Sequence, residues 1–147
     1  MSDLRLSAED VADLEIISTC LQDAVTQVRD LVYLPQARRF AMVVNRFRWE
    51  NEPKAGVVHE RTRAGLHFDS VSAARARHIA QDRSDGILNL LSVRFEELNA
   101  PSGIVTLTFS GGGEIRLEVE ALDVHLSDLG LVWETPNLPH HDLETDK

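Results

Sequence analysis

The sequence predicts a mainly β, α+β fold: an antiparallel sandwich or barrel of six to eight strands with one N-terminal helix. Three observations predict it. Period-two alternation dominates the second half of the chain, strong turn signals punctuate it, and one segment near the N-terminus carries an apolar repeat close to 3.6 residues.

The helix comes first. Ser7 with Asp10 resembles a helix start, and Glu9, Asp10 and Asp13 put negative charge where the helix dipole favours it. A helix is expected from Ala8 to about Gln22, with Val11, Leu14, Ile17, Cys20 or Leu21, and Ala24 forming a stripe for a sheet to cover. Val25 to Leu34 is β-rich and ends at Pro35, and a turn through Pro35, Gln36 and Ala37 returns the chain. Residues 39 to 50 form the most aromatic strand, with Phe40, Met42 and Val44 on one face and Ala41, Val43, Phe47 and Trp49 on the other. Both faces look covered, as in an inner strand.

Residues 51 to 61, with Pro53 and Gly56 among charges, read as an exposed loop. Leu66 and Phe68 then alternate with Gly65, His67 and Asp69, and the phase slips at Ser70 and Val71, which suggests a bulge or bend. Residues 72 to 80 fit a strand or a short helix equally. After the polar loop 81 to 86, Ile87 to Phe95 reads as a strand with Ile87, Leu91, Val93 and Phe95 inward and Leu88 and Leu90 covering its other face. Val105, Leu107 and Phe109, then Ile115, Leu117 and Val119, form a hairpin about Gly111, Gly112 and Gly113. Its last strand is expected to bulge at Ala121 and Leu122, continue through Val124 and Leu126, and stop at Asp128, Leu129 and Gly130. Residues 131 to 147 are expected to form an irregular strap, with Trp133 docking near the aromatic strand.

At 147 residues the chain reads as one domain, 1 to 147, able to bury roughly 70% of its unfolded surface. The single cysteine, Cys20, excludes an internal disulfide and fits a reducing cytosol. The N-terminal residues lack the pattern of a signal peptide, and no run is long enough to span a membrane; a cytoplasmic protein with no membrane partner is expected. The net charge of -9 is unevenly spread: residues 31 to 95 carry eleven bases and six acids, while both flanks are acidic. Arg38, Arg39, Arg46, Arg48, Arg61 and Arg63 could contact phosphates. The simpler expectation sets basic strands beside acidic ones, and a nucleic-acid partner is not favoured for so acidic a chain.

No nucleophile elbow, zinc-protease motif or phosphate loop is present, so no catalytic residue, metal or cofactor is assigned. Among six histidines, His67 with Asp69, and Asp123 with His125, place an imidazole and an acid two apart on one strand face. Such pairs are common surface decoration, and whether any histidine binds metal is left open. His140, His141 and Asp142 sit together on the tail. Arg46, Arg48 and Trp49, with Trp133 and His141 from the tail, are the expected ligand-binding surface, because arginine and tryptophan are enriched in binding hot spots. The favoured role is a small recognition module for a protein or small-molecule partner, with homo-oligomerisation open. The rivals are a small metal-dependent or acid-base enzyme using histidines, and a nucleic-acid binder through the basic middle.

Gln22-Asp23-Ala24, Arg39-Phe40, Asn45-Arg46-Phe47, Trp49-Glu50, Leu90-Leu91, Asp128-Leu129-Gly130, Trp133 and Pro139 to His141 together resemble a family of small bacterial proteins classed as a domain of unknown function. The resemblance runs over nearly the whole chain and implies a bacterial cytosolic protein with no catalytic residues to carry over. The strand order is also compatible with a pleckstrin-homology-like barrel, whose usual capping helix would here be N-terminal.

Overall fold

The computed structural model describes residues 4–47, 59–83 and 85–135, with the backbone alone at 59–60 and 130–135. Among the described residues one helix, α1 (Val11–Cys20), stands with ten strands: β1 (Arg5–Ala8), β2 (Val25–Gln27), β3 (Leu31–Leu34), β4 (Arg39–Phe47), β5 (His59–Asp69), β6 (Val71–Arg77), β7 (Ile87–Asn99), β8 (Ser102–Phe109), β9 (Glu114–Val119) and β10 (Val124–Thr135). The number exceeds the expected six to eight for three reasons. β1 precedes the helix where no strand was expected, a 3-10 turn over Val28–Asp30 splits Val25 to Leu34 into β2 and β3, and the stretch expected as one bulged strand from Ile115 to Leu126 is divided between β9 and β10.

Every pairing is antiparallel. The strand order is β1-β10-β5-β4-β2-β7-β8-β9-β6, with β3 beside β4, and the sheet does not close into a barrel. It folds over on itself as a sandwich. β2 pairs with both β4 and β7 and so joins the two halves, and its Thr26 hydroxyl donates to the Val43 carbonyl at 2.7 Å. On the opposite side β5 runs directly into β6 through Ser70, whose φ of 61° makes the bend expected there. Residues 71 to 77 are therefore strand, which resolves that ambiguity.

Alternation places the core as it should. Phe40, Met42 and Val44 of β4, Leu66 and Phe68 of β5, Val105, Leu107 and Phe109 of β8, and Leu117 of β9 are buried in one cluster. α1 begins at Asp10, not Ala8, because the Asp10 carboxylate caps it by accepting from the Asp13 amide at 2.8 Å. Leu14, Ile17, Leu21 and Ala24 fill the core, whereas Val11 is half exposed and stands off the stripe. The helix packs on β1 and β7, and Ser18 Oγ accepts from the Val93 amide at 3.0 Å.

Three further expectations are corrected. In β7 the register shifts between Leu90 and Ser92, so Leu90 is buried and Leu91 and Ile87 are exposed; the shift exchanges the faces along the strand. Residues 59 to 61, expected in a loop, open β5 instead, while 51 to 58 lie outside the described residues. The segment after β9 is a crossing between sheets, not a bulge within one strand: Ser70 accepts from the Glu120 amide, and β10 then pairs with β5 and β1. That strand does not stop at Asp128 to Gly130 but shifts register there and runs to Thr135.

Candidate functional site

Of the expected binding surface, Arg48, Trp49 and His141 lie outside the described residues. Trp133 stands on β10 opposite Arg61, which in turn stands opposite Phe47, so the backbone register puts all three in one cross-strand row. Arg46 belongs inside the molecule. It shares the even, core-facing phase of β4 with Phe40, Met42 and Val44, and its side chain is fully buried. Its guanidinium forks onto Asp128, Nε to Oδ1 at 2.8 Å and Nη2 to Oδ2 at 2.9 Å, and Nη1 donates to the Phe47 carbonyl at 3.2 Å. Asp128 Oδ2 also accepts from the Leu4 amide at 3.0 Å. Arg46 is thus an internal strut, unavailable to a partner.

Much of the basic middle is neutralised where it lies. Arg38 bonds Glu120, Arg75 and Arg77 approach Glu118 and Glu114 across the β6–β9 ladder at 3.7 and 3.9 Å, and Arg61 is buried beside the Phe47 ring.

Two sites remain. The first is a groove at the open seam of the sandwich. Among the described residues β3 pairs only with β4 and β6 only with β9, so their edges face each other without joining. The seam is pinned at one end, where the Tyr33 hydroxyl and the Val71 amide reach the Val71 and Arg38 carbonyls at 3.4 and 2.9 Å. Beyond that pin it widens into a groove of about 460 Å³. Val28, Leu31, Tyr33, Phe40, Ala74 and Ile79 supply apolar walls, and the charged residues of its lining are Arg29 and Arg75.

The second site is an imidazole–carboxylate block on the outer face of β5 and β10. The register sets His125 opposite His67, and the Asp69 amide donates to the Asp123 carbonyl at 2.9 Å, so the two acid–imidazole pairs of the sequence lie side by side. The imidazole rings stack with centroids 4.8 Å apart. His125 Nε2 lies 2.8 Å from Asp123 Oδ1 and 3.9 Å from Asp69 Oδ2, and His67 Nδ1 lies 3.5 Å from that same Asp69 oxygen. Arg39 Nε donates to Asp69 Oδ1 at 2.7 Å. Burial, and then the Arg39 guanidinium, hold the His67 imidazole below its ordinary 6.5; Asp69 and Asp123 pull it upward and the His125 ring lowers it further. The sequence supplied both pairs but not the register that joins them.

Fold and sites define an antiparallel β protein with an open, arginine-flanked seam and a histidine–aspartate face. The chain belongs to the family described as "Protein of unknown function (DUF2948)", whose model matches residues 4–141 and so covers the span of the resemblance seen in the sequence. No curated protein and no solved structure matches it. Among the described residues, no helix is long and apolar enough to cross a membrane.

Proposed function

We propose that the protein is a small recognition module whose seam groove binds a compact ligand with an apolar body and one anionic group. The observation that carries this reading is the groove's make-up: apolar walls between two free strand edges, with arginine as its sole charge in a chain of net charge -9. Its volume suits a small molecule, and the pin at Val71 blocks an extended peptide from running through. A bacterial cytosolic setting accords with the single cysteine and the family resemblance. The paired and buried arginines of the middle segment argue against nucleic acid as the partner.

Anilinonaphthalene sulfonate, an apolar ring system bearing one sulfonate, tests the groove directly. Its fluorescence should rise on the folded protein, Arg29→Ala should weaken binding because Arg29 bonds the neutral Gln27 side chain while Arg75 already faces Glu118, and Ala74→Phe should abolish it by filling the groove without lowering the melting temperature greatly. Undiminished dye binding to a folded Ala74→Phe variant would refute the assignment.

A further inference from the structure

We propose that His67, Asp69, Asp123 and His125 form a binding site for a divalent transition metal ion, with zinc the best match. This site is separate from the seam groove and rests on different residues.

The argument begins with register. His67 and Asp69 alternate onto one face of β5, Asp123 precedes β10 and His125 lies on it, and antiparallel pairing sets like beside like. Four potential ligands thereby occupy a two-by-two block held on adjacent strands of the sheet. Ligand atoms of Asp69, Asp123 and His125 all lie within 4.8 Å of one another. Around an ion held at about 2.0 to 2.2 Å, tetrahedral ligand atoms stand roughly 3.3 to 3.6 Å apart. The 3.5 Å from His67 Nδ1 to Asp69 Oδ2 falls in that range, the 3.9 Å from His125 Nε2 to the same oxygen is slightly wider, and the 2.8 Å contact from His125 to Asp123 is narrower. Asp69, Asp123 and His125 thus form the compact set, and His67 adjoins it through Asp69 Oδ2.

A second observation points the same way. His67 Nδ1 is enclosed yet has no hydrogen-bond partner: its approach to Asp69 has ion-pair distance but not hydrogen-bond direction. An enclosed imidazole nitrogen without a partner can present its lone pair to a metal when the ring is the Nε2-protonated neutral tautomer. Arg39 meanwhile occupies Asp69 Oδ1 and leaves Oδ2 turned toward both imidazoles, the arrangement in which an outer partner fixes the orientation of a ligating carboxylate.

The donor set selects the ion. Two imidazoles with two carboxylates suit zinc and its late first-row neighbours, whereas magnesium and calcium prefer all-oxygen shells. Charge also balances: two carboxylates against one guanidinium leave a net negative block that a dication offsets. The side chains are 23 to 41% exposed, so an ion there is reached from solvent and can keep a water ligand.

The test uses the full chain after chelator treatment. Titration with zinc should show one site of micromolar or tighter affinity, unaffected by excess magnesium, and substitution with cobalt should give the visible absorption of a tetrahedral ion. His67→Gln and His125→Ala should each weaken zinc binding by at least about tenfold, the range seen for lost metal-site partners. The double variant His140→Ala/His141→Ala should bind as the parent does, which separates this block from the histidines of the tail. Nitrogen chemical shifts of the histidine rings in the unaltered chain provide a readout independent of variant folding: on zinc addition His67 Nδ1 and His125 Nε2 should move together. Binding that survives both single substitutions, binding that disappears with the tail histidines, or rings that do not shift would each overturn the proposal.

Discussion

Removing Asp128 should unbalance the interior of the sheet by stranding a buried charge. Arg46 and Asp128 are both fully buried and joined by two hydrogen bonds, and Asp128 Oδ2 also holds the Leu4 amide. Asp128→Ala leaves a fully buried guanidinium with its main counter-charge gone, and frees the Leu4 N–H as well. Breaking a buried pair from one side costs about 3 to 5 kcal/mol. For a chain of this size each kcal/mol lowers the melting temperature by roughly 2 to 4 °C, so a fall of about 6 to 20 °C is expected. Urea denaturation followed by circular dichroism measures it. The double variant Arg46→Met/Asp128→Leu should recover most of the loss, because apolar side chains of similar volume avoid the desolvation of both ions. A single-variant loss below about 1 kcal/mol, or a double variant no better than the single one, would show that the pair is not dry and would refute the reasoning.

The other predictions concern packing and pH. Leu14→Ala should cost about 2 to 5 kcal/mol in thermal melts, because Leu14 is 2% exposed beneath α1, while Val11→Ala, half exposed, should change little. Gly103→Ala should destabilise by about 1 to 3 kcal/mol in the same assay: an added Cβ would sit 2.2 Å from the Glu96 carbonyl oxygen and 2.7 Å from the Phe95 ring. His67 is held below 6.5 in the folded state, so the unfolded chain takes up the proton first as pH falls. Its contribution is therefore complete above about 6.5 and is lost as pH drops from there toward the lowered folded value. Urea midpoints on either side of 6.5 should show that slope, and His67→Gln should flatten it.

Legibility followed the range of the interactions. The β8–β9 hairpin was readable because both strands alternate cleanly and the glycines between them include Gly111 and Gly112 at positive φ. The bend at Ser70 was readable as a slip of phase. β1 was not, since Arg5 to Ala8 gains its conformation by pairing with β10 more than a hundred residues later. Leu90 and Leu91 exchanged faces because a single extra residue inverts every inward position beyond it, and nothing in the leucines themselves marks the bulge. Arg46 shows the same limit from the other side. It was expected on the binding surface, although alternation sets it in phase with Phe40, Met42 and Val44, because a buried arginine there makes sense only once Asp128 stands against it. The histidine–aspartate pairs were visible as motifs, and only the strand register made them one site.

The distance in sequence between β1 and β10 also bears on how the chain is made. During synthesis β1 emerges before the other strands described, and its partner, 124 residues away at the Leu4–Asp128 contact, emerges after all of them. Until then β5 lacks its outer neighbour and offers an unpaired edge to other nascent chains. Once β10 leaves the ribosome it fills that edge, and its own outer side from Val124 to Ser127 meets a strand already waiting. Along Val124 to Ser127 the outermost strand is then the four-residue β1, too short to template much further pairing.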